Sequence, residues 1–541
     1  MKKQLFGILV FLLILVSSFA AAEVVIDEAH FPDQNFRKLV LEKIDLDGNG
    51  VLNDAEIMAV EIIDCPRRAI SSLVGIEFFP ALKALDCSNG TGGGSSADNL
   101  RENNTLTMLD LSHNTQLTSL ECYGNQLEEM ILGKKEALTR IDCHENQLIY
   151  LDVSECPALR ELYCFNNNLA ILNLGEKADL IRLDCTGNKN LHELHVDKCP
   201  MLSLLACSGA SLHELDVSIC SRLEYLDCSR NRIAALDLSH CPRLSQLDCS
   251  DNLLIKLDVS GAPLLENFGC SENSLTELDI SENPSLAWVN CDYNNLISLI
   301  FGKNTLLKEL NCSNNRLTKL ETGRCPALMS LDCGSNLLRT LDISGNQDLR
   351  KLNCGNNALT ALDLSMNIKL EQCICCKNRL KSLDITRNKE MTTLEAYGNE
   401  LMKLNISVFI QKWKDTRSVR RQETREGYHC FIRKSNSIYK MTETLLIDPY
   451  VRVTTTKQDD FGFGIMNEGL KTDVSVINIT SSGYGQAYAS PGIGELGSVI
   501  TLIAEPDPGY RLEKWEVLSG DVTIRNNQLI LGKKDVEIGY P

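Results

Sequence analysis

Cysteine is a residue type that can react or bind a metal, and in this chain it occurs 23 times among 541 residues. Most of the cysteines form a regular series that recurs every 21 residues from Cys122 to Cys375, with one spacing of 22 between Cys185 and Cys207. Cys87 lies 35 residues before Cys122 and continues the series across a Gly- and Ser-rich stretch, which is typical of an exposed loop.

Thiols in such a series can be disulfide partners, metal ligands or small buried hydrophobes. A fixed 21-residue period predicts a solenoid, in which the cysteine β-carbons of stacked coils would lie about 4.8 Å apart. A disulfide requires roughly 3.5 to 4.5 Å between β-carbons, and zinc requires four ligands that converge on one point. The geometry therefore favours a ladder of buried free thiols, and it leaves open a bridge among the cysteines outside the series.

A second set of residues that could bind a ligand is the twelve-residue segment from Asp45 to Glu56. It has oxygen-bearing side chains at positions 1, 3, 5 and 12 and a glycine at position 6, as an EF-hand calcium loop requires. Helical spacing precedes the segment, and residues 54–63 are predicted to form the exiting helix. The alternative is an acidic turn that mimics the motif. The predicted calcium ligands are Asp45, Asp47, Asn49, the carbonyl of Val51, and Glu56.

A third set is a group of aromatic and basic side chains beside the cysteines. Tyr123, His144 and Phe165 each follow a cysteine in three successive repeats, and Arg140 and Tyr163 lie next to them. Exposed rings on a rigid surface provide contact area at little entropic cost, which suits recognition of a protein or a sugar. We therefore predict that these five residues form an exposed ligand-binding patch.

The elements that must position these residues are short strands. Each repeat reads L-x-x-L-x-C-x-x-N-x-L followed by x-x-L-D-V-S, so apolar residues alternate with polar ones before each break. This period predicts two brief strands per coil and about 15 coils over residues 82–406. Asparagine occupies the third position after the cysteine in 13 of the 15 coils, and we expect its side chain to satisfy backbone groups at the corner.

The repeat resembles a leucine-rich repeat, and its 21-residue form with cysteine and L-D-V-S resembles the internalin J type of bacterial surface protein. The resemblance covers about three fifths of the chain. It implies a mainly β, curved leucine-rich-repeat solenoid and a role in adhesion or recognition. The Asp45–Glu56 loop also resembles the loops of dockerins. Because a dockerin carries two such loops and this chain has one, we expect a single stabilising Ca²⁺ ion in an N-terminal cap.

The two ends of the chain indicate export and a modular organisation. Residues 1–22 have two lysines, an apolar run and a small-residue cleavage pattern, which predict a signal peptide and a secreted or cell-surface bacterial protein. Residues 476–541 resemble the divergent B-repeat of bacterial surface proteins. The sequence stops at Tyr540-Pro541, where that module would normally continue with a final edge strand. The predicted domains are the signal peptide 1–22, a helical cap 23–81, the solenoid 82–406, a C-terminal cap 407–475 and a small β module 476–541.

Enzyme motifs are scarce in the sequence, which has no phosphate-binding loop, no G-x-S-x-G and no H-E-x-x-H. We therefore expect a non-catalytic, monomeric binding protein whose partner is a host or neighbouring-cell protein or glycan. The net charge of −18 does not suggest nucleic acid as a partner, and no membrane insertion is expected after signal cleavage. The alternative is an enzyme or an accessory subunit of a secreted carbohydrate-active system, with the repeats as a scaffold.

Overall fold

The computed structural model describes residues 23–89, 102–401, 403–405 and 408 with their side chains, and beyond them only the strands of the C-terminal part. The predicted signal peptide lies outside the described residues, as does most of the Gly- and Ser-rich loop. Two compact units divide the chain, Met1–Leu307 and Lys308–Pro541.

Near its start, after the short strand Val24–Val25, the first unit has two helices that flank the acidic loop. Helix α1, Gln34–Lys43, is capped by the side chain of Asp33, and helix α2, Asp54–Ala59, begins with a capping box between Asn53 and Glu56. The predicted extension of the second helix to residue 63 is wrong. Its C-cap Val60 is already extended, and the β-branched residues that follow form the strand Ile62–Asp64.

That strand starts a parallel ladder in which three-residue strands of successive coils pair in register, for example Leu226 with Leu247. In each strand the central side chain is buried in the core. A 3₁₀ turn, Ile76–Phe78, precedes the second strand. The ladder strands of this unit are Ile62–Asp64, Ala84–Asp86, Ser119–Glu121, Arg140–Asp142, Glu161–Tyr163, Arg182–Asp184, Leu204–Ala206, Tyr225–Asp227, Gln246–Asp248, Asn267–Gly269 and Trp288–Asn290.

The second unit contains the same kind of ladder, and its C-terminal strands extend it. Met441–Ile447 pairs in parallel with Thr393–Glu395 and is followed outward by two antiparallel strands, His429–Lys434 and Val419–Glu423. The extra strands cover an edge that would otherwise be open. The ladder strands of this unit are Glu309–Asn311, Ser330–Asp332, Lys351–Asn353, Gln372–Ile374 and Thr393–Glu395. A parallel β-solenoid of about 15 turns, as predicted, is thus confirmed.

The second strand of each coil is less regular than predicted. In the described part of the chain it pairs as a strand in four places and elsewhere follows an irregular path, apart from a bridge between Glu321 and Asp342 and a 3₁₀ turn at Thr322–Arg324. The paired segments are Met108–Asp110 with Glu129–Ile131, Tyr150–Asp152 with Ile171–Asn173, Glu277–Asp279 with Ser298–Ile300, and Lys403–Asn405 with Arg452–Thr454.

Two four-stranded sheets make up the end of the chain. The last strand, Val536–Tyr540, lies inside the first sheet, between Val474–Ser481 and Glu516–Ser519. Ile493–Glu495 completes that sheet. The second sheet has the order Gly485–Ser490, Val499–Pro506, Gln528–Leu531 and Val522–Arg525.

Every cysteine whose side chain the structure describes is buried, and ladder members such as Cys249 and Cys270 are free thiols, which confirms the thiol ladder. Cys270 is a typical member: burial raises the pKa of its thiol well above the ordinary value, so it stays protonated. Cys65, 22 residues before Cys87, occupies the same column beside the strand Ile62–Asp64.

The periodic asparagines hold the corners of the coils together. The amide nitrogen of Asn252 donates to the carbonyls of Cys228 and Cys249 at 2.9 and 3.1 Å, and its oxygen accepts from the backbone N–H of Ile233 at 3.0 Å. The predicted structural role is therefore confirmed. Within the described residues Ala210 is the exception, and there the inserted residue in the preceding coil lets the N–H of Leu191 bond to the carbonyl of Asn188 instead.

Candidate functional site

In-register pairing places the predicted patch on one face of the first unit's ladder. Since the cysteine side chain points into the core, its two neighbours in sequence point outward. Ladder pairing then aligns the outward positions of successive coils, as it does for Glu121 with Asp142 and for Asp142 with Tyr163. The spacing of the repeat is therefore what brings the patch residues together.

The three residues that follow the cysteines form a continuous stack of rings. The ring centroids of Tyr123 and His144 are 4.5 Å apart with an interplanar angle of 10°, and those of His144 and Phe165 are 4.2 Å apart at 13°. Near-parallel rings one coil apart restrict one another's side-chain torsions. The outer rings, Tyr123 and Phe165, are partly exposed, so the stack presents them as rigid contact surfaces.

His144 is not exposed, contrary to the sequence prediction. It retains only 8% of its accessible surface, because the rings of Tyr123 and Phe165 cover both of its faces. Its Nδ1 atom lies 2.5 Å from a carboxylate oxygen of Asp142, which is also buried. His144 is therefore the central support of the patch rather than a contact residue.

Arg140 lies beside the stack and is held by carboxylates from three coils. Its guanidinium group donates to Glu161 at 2.7 Å and to Asp142 at 3.1 Å, and lies 3.7 Å from Glu121. It also covers the ring of Tyr163, with 4.7 Å from Cζ to the ring centroid. Burial opposes its charge, but the hydrogen bonds to Glu161 and Tyr163 outweigh it and raise the pKa of Arg140. The guanidinium is thus fixed in place and remains charged.

Asp142 joins the two halves of the site, because one oxygen contacts His144 and the other accepts from Arg140. All five predicted residues are therefore brought together. The sequence interpretation missed Asp142, Glu121 and Glu161 as supports. A signal was present at the third position before the cysteine, where Arg140, Glu161 and Arg182 alternate in charge along neighbouring coils.

The acidic loop of the first unit brings the predicted metal ligands together. Ligand oxygens of Asp45, Asp47 and Glu56 all lie within 4.8 Å of one another, and this is the one such carboxylate, histidine or cysteine cluster in the part of the chain that the structure describes. Asp45 and Glu56 are buried, and Gly50 takes a left-handed φ of 80° that turns the loop. The donor set fits the hard-oxygen preference of Ca²⁺.

A short β-bridge stabilises this single loop from outside. Val51–Leu52 pairs antiparallel with Val24–Val25, and the N–H of Ile26 donates to the carbonyl of Gly50 at 3.0 Å. Within this pair, the side chain of Leu52 is fully buried. The N-terminal strand thus holds the end of the acidic loop by backbone hydrogen bonds.

The coil length, the buried cysteine column and the asparagine column together define a leucine-rich-repeat solenoid of the cysteine-ladder kind. Among solved structures, the chain is similar to the functional domain of InlJ from Listeria monocytogenes, which includes a cysteine ladder. The two are 24% identical with a TM-score of 0.57, and the match covers 81% of this chain and 100% of that domain.

A leucine-rich-repeat protein from Leptospira interrogans is also similar, at 21% identity and a TM-score of 0.51, over 66% of this chain and 94% of that one. These structural matches establish the fold. No protein-family model matches the sequence, and no curated protein matches it. None of the helices in the described residues has the length and hydrophobicity needed to cross a bilayer.

Proposed function

We propose that this protein is an exported, non-catalytic recognition protein whose aromatic patch (Tyr123, Arg140, His144, Tyr163 and Phe165) binds a protein partner through its partly exposed members, with the buried His144 as their support. The observation that carries the proposal is the stack of three rings. Its central ring, His144, contacts the Asp142 carboxylate, and Arg140 is fixed beside it. Binding hot spots are typically tyrosines, tryptophans and arginines whose side chains are already ordered before the partner arrives.

The charge around the patch indicates what kind of surface it fits. Arg140 is already neutralised by its own carboxylates, and Glu121, Asp142 and Glu161 together exceed the positive charge of Arg140 and Arg182. Lysine and arginine side chains of a partner would gain both from these carboxylates and from contact with the partly exposed rings of Tyr123 and Phe165. A host or neighbouring-cell protein with a basic surface therefore suits the site better than an acidic one.

We also propose that a Ca²⁺ ion stabilises the N-terminal cap of this recognition protein. Asp45, Asp47, Asn49, the Val51 carbonyl and Glu56 would hold it, and it would neutralise two buried carboxylates that otherwise repel each other. The ion would fix helices α1 and α2 against the first coils. It would take no part in contact with the partner.

Export is supported by the signal-like sequence of residues 1–22, and the state of the cysteines is compatible with it. Thiols that are buried and protonated are poor nucleophiles, so they resist the disulfide exchange that an oxidising compartment promotes. The ladder thus provides an explanation of how a cysteine-rich chain remains in its thiol form outside the cell.

The proposal is tested by a pull-down from host surface proteins, together with a glycan array, using the wild type and a patch variant with Tyr123→Ala and Phe165→Ala. Trp288→Ala is the matched control, because Trp288 is another exposed ring on the same ladder. We expect a protein partner that the patch variant loses and the control retains. Equal capture by all three proteins, or capture only of glycans by the patch, would contradict the proposal.

A further inference from the structure

We infer that the second unit carries a separate binding groove for a short, neutral oligosaccharide, formed over Gly334 and Gly355. The groove has a volume of about 320 Å³, within the range of small-molecule sites. Its lining comes from residues 313–397, which all belong to the second unit, so it is independent of the aromatic patch.

The groove arises from two missing side chains. The position after the cysteine carries Tyr, His, Phe, Thr, Ser, Asp or Cys in other coils, but it carries glycine in the coils of Cys333 and Cys354. Ser313 and Cys376 occupy that position on either side of the two glycines. Three coil steps separate them, about 14 Å at the usual strand spacing, so the floor of the groove is long enough for an extended ligand.

The two walls come from the neighbouring columns of the ladder. Asp332, Asn353 and Ile374 precede the cysteines and form one wall. The other wall consists of residues two positions after the cysteines, which take left-handed φ values near 53° and so turn the chain at the edge of the groove. These residues are Asn314, Ser335, Asn356 and Lys377.

The polar groups of the walls suit hydroxyl ligands. Amide and hydroxyl side chains both donate and accept, as sugar hydroxyls do, and Asn353, Asn356 and Ser335 all line the groove. They are held in order by bonds from Asn353 to Asp332 at 3.0 Å and from Asn356 to Ser335 at 3.0 Å. A pre-ordered set of this kind loses little entropy when a ligand binds.

The charges of the groove favour a neutral ligand. Asp332 and Lys377 are the two charged residues in the lining and have opposite sign. Asp332 is also already bonded, because its second oxygen accepts from the N–H of Gly334 at 3.0 Å. A ligand with net charge would therefore meet one unfavourable group for each favourable one.

One end of the groove is formed by Tyr397 and Cys376. Burial raises the pKa of the Cys376 thiol, and a hydrogen bond from Tyr397 only partly opposes this, so the thiol stays protonated at neutral pH. Cys376 is therefore not a thiolate nucleophile, and we assign the groove a binding role. The ring of Tyr397 offers an apolar surface for the carbon face of a sugar.

The test is saturation-transfer NMR and calorimetry with four neutral probes, cellotriose, chitotriose, maltotriose and mannotriose, and two charged ones, trigalacturonic acid and chitosan trimer. Gly334→Phe should fill the groove, since Phe165 occupies the same column in another coil and the nearest atoms to the new Cβ would belong to the Asn353 side chain, at 3.1 Å. The matched control is Ser271→Phe, at the same column outside the groove.

We expect at least one neutral trisaccharide to bind the wild type and Ser271→Phe equally and Gly334→Phe at least tenfold more weakly. The patch variant should bind the sugar as the wild type does, which separates this result from the fate of the proposed function. If Gly334→Phe does not fold, Asn353→Ala with Asn356→Ala takes its place. Binding of no neutral probe, preference for a charged probe, or undiminished binding by the groove variants would overturn the inference.

Discussion

Replacing Asn252 with alanine should destabilise the solenoid by about 3 kcal/mol. The carbonyls of Cys228 and Cys249 each lose one donor but keep another, from Asn231 and Asn273. Each of these losses should cost about 0.5 kcal/mol. The N–H of Ile233 loses its acceptor inside the core, and stranding it should cost about 2 kcal/mol more.

Urea unfolding followed by circular dichroism measures the total, and amide exchange measures the local effect. A loss of about 3 kcal/mol corresponds to exchange about 100-fold faster in the two coils that Asn252 joins. Asn190→Ala is the control, because Asn190 is exposed in a turn. A change below about 0.5 kcal/mol in Asn252→Ala would refute the view that this column holds the coils together.

Three further predictions concern the core and the cap. Cys270→Ser should destabilise by about 2 kcal/mol and Cys270→Ala by about 1 kcal/mol in urea unfolding, because only serine buries a hydroxyl in an apolar site; the reverse order would contradict the apolar role of the ladder. Saturating calcium, at 100 times its dissociation constant, should stabilise the wild type by about 2.7 kcal/mol in calorimetry against a chelator. Glu56→Gln should abolish the effect, and an unchanged effect would argue against the site. Burial lowers the pKa of Lys135 below 10.5, so the unfolded chain binds more protons and stability should rise with pH up to that value. Lys135→Asn places at this position the residue that the same column carries at Asn114 and Asn283, and it should stabilise the protein at pH 7 by about 1 kcal/mol and remove the rise with pH. The same rise in the variant as in the wild type would contradict the assignment to Lys135.

The ladder could be predicted from the sequence because its cause is periodic. A cysteine every 21 residues fixes the register, and the register fixes which side chains share a column, as for Tyr123, His144 and Phe165. Side-chain stacking within a column depends on torsion angles, so the burial of His144 and its bond to Asp142 could not be predicted in this way.

Other features could not be predicted because they depend on contacts between residues that are distant in sequence. The spacing of Ile57 and Val60 fits a helix, yet Ile63 gains more by pairing with the ladder, so the helix ends at Ala59. The groove in the second unit is an absence of side chains at Gly334 and Gly355. It becomes visible only when the walls on either side are placed.

The central claim is that the aromatic patch recognises a protein partner, and the most direct test is the affinity of the captured partner measured by biolayer interferometry. Losing two hot-spot rings should cost about 2 kcal/mol each, or about 4 kcal/mol together, so Tyr123→Ala with Phe165→Ala should weaken binding by about 1,000-fold. Trp288→Ala should bind as the wild type does. Equal dissociation constants for the wild type and the patch variant would contradict the account.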